Sequence, residues 1–172
     1  MSNGTKVLKR NGQTESLNLD KIHKITEEAC EGLAGVSESQ VEINSNIQFF
    51  DGIRTQDIQD ILIKSANDLI SLDAPNYQFV AARLLLFGVR KKLWGRIHEA
   101  PSLGNHITKC IREGVYDPHF TSKYTDQEID ELDSYIDHDR DYLFTYAGLR
   151  QVTDKYLVQD RSTGDLYLSL IH

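Results

Sequence analysis

The side chains best placed to do chemistry are Lys9, Arg10, Glu15, Asn18 and Lys21, all inside the stretch VLKRNGQTESLNLDKI. Asn11-Gly12 interrupts it, and that dipeptide tolerates the positive φ angles of a type I′ turn, so the spacing predicts a tight hairpin. The returning strand runs through Gln13 to Leu17 and enters a helix at Asn18-Leu19-Asp20-Lys21. Three cations therefore lie beside a helix N-terminus, whose N–H groups and positive dipole end favour an anion. A phosphate chain needs several fixed cations and N–H donors, while Glu15 and Asn18 offer hydrogen-bonding groups for a base edge. Thr55, at the start of a later helix, and Lys91, on a fourth helix, are supporting candidates. The same residues also have a plain reading: Lys9 and Arg10 as solvated turn neighbours, Asn18 as a helix cap, Lys91 as a dipole partner. The residue pattern alone leaves both readings open.

Other constellations are weaker. Asp137-His138-Asp139-Arg140-Asp141 is rich in metal-ligating types, but consecutive residues rarely converge on one ion, and polar links between helices have this composition. His23 reads as a surface or half-buried side chain, and Cys30 and Cys110 as small core residues. No nucleophile–base pair, Walker A loop, GxGxxG fingerprint, HExxH or GxSxG occurs. No catalytic and no metal-binding residue is expected.

The elements that must position the cationic junction follow from periodicity. Ile22, Ile25, Ala29 and Leu33 make one helical stripe, stopped by Gly32 and Gly35. Ser37-Glu38-Ser39-Gln40 reads as a capping box, flanked by Val36 and Val41 as a hydrophobic staple. The second helix is expected to show Ile43, Ile47 and Phe50 on one face. Ile53-Arg54 can add a third strand beside the hairpin, with Thr55 as N-cap of a third helix and Asp57 in its first turn. Ile58, Ile61, Leu62, Ala66, Leu69 and Ile70 form that helix's core face. A fourth helix over 76–96 starts behind Asp73-Ala74-Pro75 and carries Phe79, Ala82, Leu86, Val89 and Leu93 on a broad apolar face. Beyond a boundary at His98-Glu99-Ala100-Pro101, helices are expected over 103–113, 126–136 and 142–152, then a terminal hairpin. This predicts a mostly α fold with a small β-sheet (α+β), divided into residues 1–97 and 98–172.

Charge is uneven. Residues 1–100 carry 12 Lys+Arg against 13 Asp+Glu, or −1, and residues 101–172 carry 7 against 13, or −6, together the chain's −7. An acidic second part repels phosphate backbones, which disfavours nucleic-acid binding, whereas a near-neutral first part can hold one small anionic ligand. Two distant cysteines make neither a disulfide framework nor a zinc ribbon. A polar N-terminus and short apolar runs predict a soluble, cytoplasmic protein without a membrane segment.

At these residues the chain resembles a known family. KRNGQTESLNLDKI, DGIRTQDIQDILIKSA and APNYQFVAARLLLFGVRKKLWG look like the ATP-cone domain that opens the large subunit of class I ribonucleotide reductases. EGVYDPHF and YIDHDRDYLFTYAGLRQVTDKYLVQDRSTGDLY are similar to the start of the catalytic domain that follows. The resemblance implies a four-helix bundle capped by a short antiparallel sheet, then the helical opening of the reductase barrel. It implies an allosteric site for ATP or dATP, with Mg2+. There Glu15, Ser16, Leu17, Asn18, Leu19, Asp20 and Lys21 wrap the adenine and ribose. Lys9, Arg10, Lys21 and Lys91 face the phosphates, with Thr55 and Gln59 beside them. The family often places a histidine where Gln59 stands, and glutamine cannot become cationic, so this departure bears on inhibition by dATP. The expected partners are the rest of the large subunit and the small radical-generating subunit, in an oligomeric complex. The barrel, the radical cysteine and the redox cysteine pair have no counterpart here. The expectation is a truncated or split product that regulates but does not catalyse, assembling with a separate catalytic chain. The alternative is a helical assembly module that binds no nucleotide.

Overall fold

A computed structural model describes residues 5–9, 11–46, 48–160, 164, 166 and 167. They fall into two compact units, Met1–Leu86 with Phe144–Arg150, and Phe87–Leu143 with Gln151–His172.

In the first unit, β1 (Lys6–Leu8) and β2 (Thr14–Ser16) pair antiparallel, with Val7 opposite Glu15. Their connection is not the expected type I′ turn. That turn needs positive φ at both central residues, and Asn11 does not adopt it, whereas Gly12 does at φ +80°. Asn11 Oδ1 instead accepts from the Gln13 amide at 3.1 Å, an Asx turn, and the ladder closes one step earlier, with the Lys9 amide donating to the Gln13 carbonyl at 2.8 Å. The loop is thus three residues long and ends in a left-handed glycine. Residue Arg10 lies outside the described residues.

The third strand, β3 (Ile53–Arg54), joins β1 in parallel, giving the order β2-β1-β3. The small α+β sheet is therefore mixed, because two helices intervene between β1 and β3 and return the chain in the same direction. Val7 and Ile53 are buried beneath it.

Helix α1 (Leu19–Cys30) begins where expected, with Asn18 Oδ1 accepting from the Lys21 amide at 3.1 Å. It buries Ile22, Thr26, Ala29 and Cys30, so the inward face holds Thr26 rather than Ile25. The Thr26 hydroxyl donates to Glu42 Oε1 at 2.6 Å, and the same oxygen lies 2.9 Å from His23 Nδ1, stitching α1 to α2. That hydrogen bond holds the exposed His23 imidazole above its ordinary pKa.

Helix α2 (Glu38–Asn46) buries Val41 and Ser45, whereas Ile43 and Phe50 are 62% and 60% exposed, which corrects the expected apolar face. Ile47 lies outside the described residues. Nor does Gln40 close a direct capping box. The Ser37 amide donates to the Tyr77 hydroxyl at 3.0 Å, and that hydroxyl lies 2.9 Å from Gln40 Oε1, so a buried tyrosine from α4 stands between the two partners. Removing it as Tyr77→Phe leaves a part-buried amide unpaired and is expected to cost about 1–3 kcal/mol. Urea denaturation of the two chains checks this.

Helix α3 (Thr55–Asp68) starts one residue earlier than expected: Thr55 is its first residue and Arg54 occupies the cap position, without a capping side-chain bond. Arg54 pairs through two hydrogen bonds of 2.9 Å with both oxygens of Asp57. Ile58, Leu62, Ile63, Ser65 and Ala66 are buried, and Ile70 falls beyond the helix end, 39% exposed. Helix α4 (Tyr77–Trp94) contributes residues 77–86 here and is buried on nearly every side by Val80, Ala81, Ala82, Leu84 and Leu86. From it, Arg83 donates to the Ala29 and Glu31 carbonyls at 3.2 and 2.6 Å, capping the C-terminal end of α1.

The second unit continues α4 and adds α5 (Leu103–Arg112), α6 (Phe120–Lys123) and α7 (Asp126–Ser134), a 3-10 turn over His138–Leu143, and the end of α8 (Tyr146–Lys155). Thr125 and Glu128 form the expected capping box. The helix expected from residue 142 starts later. Asp137 Oδ1 accepts from the Asp139 amide to begin the 3-10 turn, and Thr145 Oγ1 accepts from Gly148 to begin α8. The terminal hairpin is marked by the antiparallel bridge between Gln159 and Leu166. A cleft of about 490 Å3 lies among Leu103, Ile107, Tyr116, Phe120 and Ile129.

Candidate functional site

Glu15 sits in the middle of β2, diagonal to Lys9, so on this pleated pair the two side chains share a face. Lys9 Nζ lies 2.6 Å from Glu15 Oε2. From the other side Lys21, in the first turn of α1, brings its Nζ to 3.9 Å from Glu15 Oε1. The hydrogen bond from Lys9 holds the Glu15 carboxyl below its ordinary pKa, so it is ionised at neutral pH. The result is a lysine–carboxylate–lysine cluster carrying one net positive charge, at a helix start where Asn18 already satisfies one amide.

The sequence-derived residues divide accordingly. The structure brings Lys9, Glu15, Asn18 and Lys21 together. Ser16, Asp20 and Leu19 are exposed around them, Leu19 by 56%, and Leu17 is half-buried. Because Leu8 pairs with Arg54, Thr55 follows at the same end of the sheet as Lys9. Gln59, one turn along α3, is held by α4: its Nε2 donates to the Leu84 carbonyl at 2.6 Å. Lys91 is exposed on α4 within the second unit.

Sequence reasoning missed a buried ionic network in the second unit. Arg90 Nη2 donates to Asp141 Oδ2 at 2.9 Å and to the His138 carbonyl at 2.8 Å, and its guanidinium lies 5.5 Å from the Trp94 ring centre and 5.3 Å from that of Tyr142. Burial raises the Asp141 carboxyl above its ordinary pKa, and the bond from Arg90 pulls it back. The signal was present as the acidic run 137–141, but its partner is about fifty residues away in sequence. Among the described residues no group of three or more His, Cys, Asp or Glu could hold a metal ion, and no helix is long and apolar enough to cross a membrane.

The first unit is thus a helical α+β unit with a three-stranded sheet and a cationic hairpin–helix junction, an arrangement that suits an anionic ligand. The family model described as "ATP cone domain" matches residues 5–92, and the chain belongs to that family, whose members are nucleotide-effector domains. It is 52% identical over 169 residues to the ribonucleoside-diphosphate reductase 1 subunit alpha of Escherichia coli, covering 98% of this chain and 22% of that one. It is 49% identical over 169 residues to the subunit alpha of Haemophilus influenzae, again 98% and 22%, and 44% identical over 163 residues to that of Enterobacteria phage T4, 94% and 21%. The chain thus spans about a fifth of the length of the relatives it matches.

Proposed function

We propose that this chain is the allosteric nucleotide-sensing portion of a ribonucleoside-diphosphate reductase large subunit, binding ATP or dATP as effector. The observation that carries the reading is the Lys9–Glu15–Lys21 cluster, which lies inside the segment matched to the ATP-cone family. In this reading Lys9, Arg10 and Lys21 hold the phosphates as charge-assisted donors. Thr55 adds a hydroxyl at the start of α3. Asn18 and Glu15 meet the adenine edge, exposed Leu19 covers a ring face, and Ser16, Leu17 and Asp20 line the ribose. Gln59 shapes the wall through its tie to α4 rather than by charge. Mg2+, bound with the nucleotide, neutralises part of the phosphate charge.

Residues 1–97 form the cone and residues 98–172 the helical opening of a catalytic domain. The chain lacks catalytic residues of its own, acts in the cytoplasm, and works beside the rest of the large subunit and the small radical-generating subunit. Similarity running along nearly the whole chain to reductase alpha subunits supports this assignment.

A ligand that binds only the native state raises its stability, by about 2.7 kcal/mol at a hundred times its Kd. The test is thermal unfolding with and without saturating ATP or dATP. Stability unchanged by either nucleotide leaves the chain as an assembly module.

A further inference from the structure

Glu15 is a poor choice of neighbour for phosphates, yet it occupies the centre of the cationic cluster. Each of its two carboxylate oxygens faces a different lysine, Oε2 toward Lys9 at 2.6 Å and Oε1 toward Lys21 at 3.9 Å. One lysine directly follows β1 and the other lies in the first turn of α1, so the carboxylate is what holds the ammonium groups of two separate segments toward a common point. We infer that Glu15 is a built-in counter-ion, and that a phosphate-bearing ligand enters by ion-pair exchange: its oxygens take over Lys9 and Lys21, and the carboxylate is released from both. This rests on the nucleotide reading above and adds a regulatory property to it.

The physical argument is charge balance. With Glu15 in place an approaching anion meets one net positive charge rather than two, and a carboxylate lies between the two ammonium groups. Either it displaces that carboxylate, losing two existing ion pairs, or it binds beside a like charge. Both routes weaken capture of any bare phosphate chain. A nucleotide has a second means of binding, because its base can offer the released carboxylate a donor. Glu15 thus protects the site from bare polyphosphate while leaving it open to nucleotides.

Glu15 lies on a short exposed strand, and Glu15→Gln keeps the side chain's size and shape while removing the charge and one of the two acceptor oxygens. Calorimetric titration of wild type and E15Q with sodium tripolyphosphate and with ATP separates the possibilities, once circular dichroism shows both chains folded. The expected result is tripolyphosphate binding about three- to fivefold tighter to E15Q, the scale of an exposed ion pair. Equal or weaker binding, or none detectable in E15Q, overturns the exchange. The nucleotide reading fails separately, if wild type does not bind ATP. An independent measurement on wild type is the carboxyl 13C titration of Glu15, whose midpoint is expected to rise when tripolyphosphate is added. An unmoved midpoint at saturation overturns the exchange as well.

Discussion

Asp141→Ala is expected to destabilise the second unit by about 3–5 kcal/mol, the cost of leaving a buried charge without its partner. The Arg90 and Asp141 side chains are only 7% and 2% exposed, so water cannot replace the missing carboxylate. The His138 carbonyl and the Trp94 and Tyr142 rings would remain around the guanidinium, but none carries a formal negative charge. The pair itself is not a large net gain. Asp141 Oδ1 and Arg90 Nε are buried without a hydrogen-bond partner among the described residues, and the desolvation of two ions offsets much of their attraction. The double substitution Arg90→Met with Asp141→Leu is therefore expected to recover most of the loss. Urea unfolding of wild type, the single and the double variant checks both statements. A single variant within about 0.5 kcal/mol of wild type, the range of an ordinary surface change, refutes the first.

Lys9→Ala is expected to weaken ATP binding by about 10- to 150-fold, because a hydrogen bond to a charged group contributes about 1.5–3 kcal/mol and every 1.4 kcal/mol is tenfold. Lys9 makes the shorter of the cluster's two ion pairs and, in the proposed site, loses Glu15 only to gain a phosphate oxygen. Lys24→Ala is the control, since Lys24 is exposed on the same helix as Lys21 and takes no part in the cluster. Isothermal titration calorimetry with ATP is expected to leave the control within about twofold of wild type, the range of an exposed charge change. A Lys9→Ala chain that binds as tightly as the control removes the hairpin from the phosphate site.

Much of the junction was legible in one dimension because its determinants are local. Asn18 caps the turn three residues on, Thr125 and Glu128 cap each other, and the alternation of strand residues brings Lys9 and Glu15 to one face. Local reasoning failed where two local options compete. Asn11 tolerates a left-handed conformation but also makes an Asx turn, and here the side-chain bond to Gln13 wins and lengthens the loop. The α2 face was misjudged for a related reason. Ile43 is as apolar as Val41, but which of them faces inward depends on where the other helices lie, and nothing within α2 records that.

The class of fold, the order of the helices and the gathering of cations at one hairpin–helix junction follow from local signals, since periodicity, caps and turn residues act over a few positions. Long-range packing alone sets the parallel pairing of β3 with β1, the bond from Gln59 to the Leu84 carbonyl, the place of Tyr77 between Ser37 and Gln40, and the pairing of Arg90 with Asp141. Each of these joins groups roughly 25–50 residues apart. A buried polar group must find a partner wherever packing supplies one, and that requirement carries no sequence spacing.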